Sequence, residues 1–185
     1  MKCNDKIMDE IIKFAKKFYE QLDFAHNFEH GKRVVRNARR IMDKEENADE
    51  FLVEAGAWLH QFHDNLEEVK EFIDSLNLEQ DIKNKLYEIA KCRPSKITEE
   101  SLLEAKIVYD ADAIEVLSAY GMIREIICNV KARDKNWENA IKDTMEVQKR
   151  FREKLMTNAA KEMLEKDFVI IDEFWKSYEN WLKLD

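Results

Sequence analysis

All four histidines of this 185-residue chain lie between His26 and His63, in two short segments. His26-Asn27-Phe28-Glu29-His30 precedes a helical pattern, and His60-Gln61-Phe62-His63-Asp64 closes the most apolar one. Asp110-Ala111-Asp112 puts two carboxylates into an otherwise apolar stretch, and a basic run extends from Lys32-Arg33 to Arg40. Imidazoles and carboxylates together form a ligand set for divalent ions, and added carboxylates favour the harder ones. Such an ion lowers the pKa of bound water toward neutrality and polarises a phosphoryl oxygen. Buried aspartates need a compensating partner, and a metal supplies one. Each segment also has a purely structural reading. A single histidine on an apolar helix is most often a hydrogen-bonded core residue. Asp110 and Asp112 can be surface charges, and the basic run can be a solvated face paired with Asp43, Glu45 and Glu46 at helical spacing.

The elements that must position these residues read as helices. Ile7, Ile11, Phe14, Ala15 and Phe18 recur every three or four residues, one apolar stripe on a helix over 7–19. Residues 23–29 form a connector, and a second helix is expected from about His30 to Lys44, with Val34, Val35, Ala38 and Ile41 inward. Asn47 or Asp49 can cap a third, central helix that runs through Leu59 and beyond. A shorter pair follows at about 66–75 and 79–91. Pro94 marks a loop, and Thr98 is a candidate cap for a helix carrying Leu102 to Leu117. Gly121 permits a close helix approach or a break. Two last helices are expected over about 136–166 and 169–182.

Three glycines and one proline are too few for the turns of a sandwich or barrel. No strand pattern, repeat or linker is present. The expectation is all-α: a single compact multi-helix domain over 1–185. A formal net charge of −8 argues against general nucleic-acid binding, which needs a basic surface. Cys3, Cys92 and Cys128 are odd in number and widely spaced, which fits a reducing compartment. The charged N-terminus is unlike a signal peptide, and no apolar run reaches the roughly 20 residues of a membrane span. The chain is expected to be cytoplasmic and not membrane-bound. Its oligomeric state is left open.

The stretches His30-Gly31-Lys32-Arg33-Val34, Ala55-Gly56-Ala57-Trp58-Leu59-His60 and Lys106-Ile107-Val108-Tyr109-Asp110-Ala111-Asp112 resemble, in order and spacing, the HD-domain metal-dependent phosphohydrolases, in particular their small stand-alone members. The resemblance covers most of the chain. It matches His30 to the family's first histidine, His60 to the histidine of the His-Asp pair and Asp112 to the distal aspartate. His26 matches an extra upstream histidine, and Gly121 and Arg124 match a following Gly and Arg. Phe151, Lys154, Leu155 and Thr157 resemble a C-terminal pattern of the same subgroup. The chain departs from the family at Gln61, which replaces the aspartate of the pair, at Cys92, which replaces a histidine, and at Asn27, which replaces an aspartate.

The resemblance implies that His30, His60 and Asp112 hold a divalent ion (Mn, Fe, Ni, Co or Mg), with Gln61 offering at most an uncharged amide oxygen. On a continued α-helix, Asp64 would lie about 40° from His60 and His63 about 60° to the other side. Asp64 is therefore a candidate fourth ligand or general base, with Asp110 a weaker catalytic candidate. Lys32, Arg33 and Arg124 are candidates for phosphate contact, since guanidinium forks match phosphate oxygens. Arg33 can equally be structural, and His26 is a candidate pocket residue. The expected function is a metal-dependent phosphohydrolase of a small phosphorylated molecule, a nucleotide by preference. The alternative is a catalytically degenerate HD-fold protein that binds a ligand or partner. A pocketless helical interaction protein is a third reading, tenable only if His30, His60 and Asp112 lie far apart.

Overall fold

The structure, a computed structural model, describes residues 2–92 and 95–183, without the side chains of Lys2 and Cys3. Pro94, expected in a loop, lies outside the described residues. Among them there are nine α-helices, one short 3-10 segment and no strand, so the all-α expectation holds. The chain divides into two compact units, Met1–Asp112 and Ala113–Asp185.

In the first unit, α1 (Lys2–Tyr19) buries Ile7, Ile11, Ala15 and Phe18 of the stripe read from its periodicity, leaves Phe14 half-buried, and buries Tyr19 as well. Helix α2 (Phe28–Met42) begins two residues before the expected start because Asn27 caps it, its side chain accepting from the His30 amide. Asp49, not Asn47, caps α3 (Glu50–Leu59) through the Leu52 amide at 3.0 Å. From Leu52 to Leu59 every α3 residue except Glu54 is buried, as befits a central helix apolar on nearly every side. It packs against α1, α2 and α5. Gly56 admits Ile89 of α5, whose Cγ2 would stand 2.5 Å from an added Cβ.

The expected continuation of α3 past Leu59 is not what the structure contains. His60–Asp64 is a 3-10 turn, followed by α4 (Leu66–Ser75) and α5 (Gln80–Ala90). Thr98 does not cap the next helix: Thr98 and Ser101 close a turn on each other, and α6 (Leu103–Leu117) starts later.

In the second unit, α7 (Ala119–Lys131) follows the cap residue Ser118. The two last helices are α8 (Trp137–Glu153) and α9 (Asn158–Leu182), so the break falls at residues 154–157 and not near 167. Thr157 explains the shift: its side chain accepts from the Ala160 amide and starts α9 there. Met122, Ile141, Ile171 and Trp175 form a core. Gly121 allows the start of α7 to lie against the backbone at Glu115 and Val116, where a Cβ would collide with the Glu115 carbonyl.

Candidate metal centre

Three side chains from three elements of the first unit meet at one point. His30 is in the first turn of α2 and is wholly buried. His60 follows the last turn of α3, and Asp112 belongs to α6. The His30 and His60 Nε2 atoms are 3.2 Å apart. Asp112 Oδ1 is 3.3 Å from the His30 Nε2 and 3.7 Å from the His60 Nε2. Beside them, Asn37 of α2 donates to the Ala111 carbonyl at 3.3 Å and so fixes the α6 residue next to Asp112. The pocketless reading, which required these residues to be far apart, does not fit.

The protonation of His60 is set by its neighbours. Its Nδ1 lies 2.7 Å from the Ala57 carbonyl oxygen, which only accepts. Nδ1 therefore carries the proton, and Nε2 presents a lone pair to the cluster. Burial, opposed by the Asp112 charge and reinforced by His30, lowers the His60 pKa to about 4. The ring is thus neutral near pH 7. The Tyr19 hydroxyl stands 3.3 Å from the same Nδ1. Burial, and then the Asp112 charge, push the Tyr19 phenol well above its ordinary pKa. Gly31 makes room for that ring: an added Cβ would sit 2.9 Å from the Tyr19 Cζ.

The 3-10 turn fixes where the side chains after His60 point. Gln61 turns inward, its amide nitrogen 2.9 Å from the His60 Nε2 and 3.2 Å from the His30 Nε2. A half-turn of that amide would bring its oxygen to the same place. His63 falls on the His60 side of the turn, and its Nδ1 is 3.0 Å from the His60 carbonyl. Asp64 projects outward, with its side chain 70% exposed, and pairs with the His63 Nε2 at 3.4 Å. The expected α-helical phase that brought Asp64 toward the cluster does not occur, because a 3-10 turn advances about 120° per residue, not 100°. His60, His63, Cys92, Tyr109 and Asp112 line a pocket of about 30 Å³, room for an ion or a water. Burial raises the Cys92 thiol, so it is not a thiolate there.

The donor set suits a divalent ion. Edges of 2.9–3.7 Å between Nε2, Nε2, Oδ1 and the Gln61 amide match a coordination shell with bonds of about 2.0–2.2 Å. Lone pairs from His60 and Asp112 face each other across the cluster and call for a cation or a shared proton between them. With a single carboxylate and two imidazoles, the set carries one negative charge and favours borderline ions over magnesium.

The remaining candidates fall elsewhere. Asp110 is fully buried but outside the His30–His60–Asp112 group, as two positions along an α-helix turn it about 200° from Asp112. Lys32 is exposed, paired with Glu29 at 2.7 Å and placed over the Phe28 ring. Arg33 is half-buried, and Arg39 of the basic run bonds Glu54. Arg124 belongs to the second unit. It is buried and donates Nε and Nη2 to the Glu115 carbonyl at 3.2 and 3.0 Å, a structural task not foreseen for a phosphate ligand. His26 packs edge-on against His30, with ring centroids 5.8 Å apart, and its Nδ1 is held by Asp23. Sequence reasoning missed Tyr19 and Asn37. The one hint was Gly31, a residue without a side chain directly after a ligand candidate.

No protein-family model matches the sequence, and no curated protein matches it. Solved structures do. YpgQ of Bacillus subtilis, crystallised in complex with ADP, superposes with a TM-score of 0.78 at 21% identity over 96% of each chain. An HD-superfamily hydrolase of Bacillus thuringiensis gives 0.76 at 20% identity, over 98% of this chain and all of that one. The fold is that of the HD superfamily. A protein of Lactobacillus plantarum superposes with a TM-score of 0.81 at 19% identity over 97% and 98% of the two chains. Identity at this level carries the HD fold and leaves the chemistry to the residues of this chain. No helix among the described residues is long and apolar enough to cross a membrane.

Proposed function

We propose that the protein is a divalent-metal-dependent phosphohydrolase acting on a small phosphorylated molecule, a nucleotide by preference. The observation that carries this reading is the convergence of His30 Nε2, His60 Nε2 and Asp112 Oδ1 at 3.2–3.7 Å. The HD fold supports it, and the ADP bound by YpgQ supports a nucleotide. His30, His60 and Asp112 would hold the ion, with the Gln61 amide oxygen as a neutral fourth donor. When bound, the ion supplies Lewis acidity toward a phosphoryl oxygen and a water of lowered pKa. The Ala57 carbonyl holds His60 in the right tautomer before any ligand arrives. The 30 Å³ pocket excludes a nucleotide from the interior, so the phosphate must approach the partly exposed Asp112 side. His63 has both ring nitrogens engaged, Nδ1 with the His60 carbonyl and Nε2 with Asp64, and would line the approach to the ion without itself transferring a proton. Asp64 then orients His63 instead of ligating the ion.

Gln61 itself favours the second reading, a degenerate HD-fold binding module, because it removes a negative ligand. Metal analysis of the purified protein, with hydrolysis assays on nucleoside mono-, di- and triphosphates under Mn, Fe, Co, Ni and Mg, separates the two. Bound metal and turnover that Asp112→Ala abolishes are expected. Turnover found only in Gln61→Asp identifies the binding module, and metal content unchanged by Asp112→Ala overturns the site.

A further inference from the structure

The lone pair of His60 needs a partner. Its Nδ1 proton is committed to the Ala57 carbonyl at 2.7 Å, so Nε2 can only accept. The ring is buried, and a buried acceptor calls for a donor or a cation. Of the three groups around Nε2, the Gln61 amide nitrogen comes nearest, at 2.9 Å, against 3.2 Å for the His30 Nε2 and 3.7 Å for Asp112 Oδ1. Chemistry tells the two ends of that amide apart. With its nitrogen inward, an N–H donates to the His60 lone pair. With its oxygen inward, two lone pairs would face each other at the same distance. The nitrogen is therefore the inward end in the metal-free chain. The His30 Nε2 proton has Asp112 Oδ1 as an acceptor at 3.3 Å, so the nitrogens facing the cluster are satisfied together without an ion. A carboxylate at position 61 could not do this, because it only accepts.

We propose that Gln61 is a stopper of the metal centre that sets which ions enter: its amide N–H closes the metal-free centre on His60, and an ion is admitted only when the amide makes a half-turn that presents its oxygen. This deepens the reading of the centre given above and rests on it. The exchange is forced by His60 itself. Nε2 has one lone pair, so the amide N–H and an ion cannot both hold it. Metal uptake is thus a competition, slowed by the small fraction of chains whose amide is turned away. Ions that bond imidazole nitrogen well, such as iron, nickel or zinc, win that competition. Magnesium, which prefers oxygen and sheds its water reluctantly, does not. The same substitution that removes a negative ligand therefore also makes the metal-free centre self-sufficient.

Stopped-flow mixing of the metal-free full chain with zinc tests this, with Gln61→Ala and Gln61→Met as variants that lack the amide. Both are expected to take up zinc about fivefold faster or more, since a neutral hydrogen bond no longer has to open first. Both are expected to release it faster as well, since the oxygen donor is gone. Faster release with unchanged uptake makes Gln61 a donor only and overturns the stopper, and so do two unchanged rates. The wild type supplies a readout that does not depend on how the variants fold. In chelator, NMR is expected to show scalar coupling across the hydrogen bond from the Gln61 amide nitrogen to the His60 Nε2, lost when zinc is added and kept in millimolar magnesium. A metal-free chain without that coupling overturns the proposal, and loss of the coupling in magnesium overturns the selection of ions. Failure of the metal-centre reading has a different signature. Zinc taken up by the variants but not by the wild type upholds the stopper and overturns the metal-dependent function, whereas zinc taken up by none of the three overturns both.

Discussion

His30 and His60 are thirty residues apart in sequence, yet their Nε2 atoms stand 3.2 Å from each other. His60 presents a lone pair there, so two neutral imidazoles hold that distance only when the His30 Nε2 carries a proton and donates it. Asp112 and the Gln61 amide complete a cluster whose groups are reconciled by a proton or by a cation. The alternatives respond differently to substitution, to added metal and to pH.

Asp112→Asn leaves shape and volume nearly unchanged and removes the cluster's one formal charge. The metal dissociation constant is expected to rise at least about 100-fold, more than the 10–100-fold typical of residues that merely orient ligands. Titration calorimetry with manganese or cobalt reads this directly. An unchanged affinity would mean that the ion, if bound, is held elsewhere.

Gln61→Asp restores a second carboxylate beside Asp112. Two carboxylates at this spacing repel when nothing lies between them and bind a divalent ion together. The metal-free melting temperature should therefore fall below that of wild type, while the upward shift on adding metal should grow. Affinity should rise about tenfold or more. Scanning calorimetry with and without a chelator measures both signs in one experiment, and equal shifts in the two proteins would count against Gln61 as a donor to the ion.

The lowered pKa of His60 makes a pH prediction for the metal-free protein. Its value is about 4 in the folded chain and near 6.5 when unfolded. Between these values the unfolded state binds the extra proton, so stability falls as pH falls. The stability is fully present above about pH 6.5, is lost progressively toward pH 4, and the loss amounts to about 3 kcal/mol. Urea midpoints measured in chelator across this range should show the slope in wild type and a flatter one in His60→Gln.

Gly31→Ala puts a methyl group 2.9 Å from the Tyr19 Cζ and 3.2 Å from the Trp58 Cζ3. Both rings are buried, so the clash cannot be relieved into solvent. A cost of about 1–3 kcal/mol is expected, as for other overpacked cores. In a Tyr19→Ala background the same substitution should cost markedly less, and a double-mutant cycle by chemical denaturation measures the coupling. Additive costs would place the strain on Trp58.

What the amino-acid sequence determined by itself is local. The stripe Ile7–Ile11–Ala15–Phe18, the cap available at Asp49 and the apolar density around Gly56 arise from periodicity and side-chain chemistry. These dictate an all-helical chain without reference to any distant contact. His30, His60 and Asp112 stood out through their residue types and their spacing, although only packing brings three separate elements to one point. Tertiary structure decided the rest at two kinds of place. One is the end of α3, where a change from about 100° to about 120° per residue turns Gln61 inward and Asp64 outward. Apolar periodicity continues smoothly through that change and gives no sign of it. The other is long-range hydrogen bonding. Tyr19 reaches His60 across 41 positions, Asn37 reaches Ala111 across 74, and Arg124 donates to the Glu115 carbonyl nine positions back. A buried polar group takes whichever partner the packed helices bring within about 3 Å, and sequence order does not record that distance.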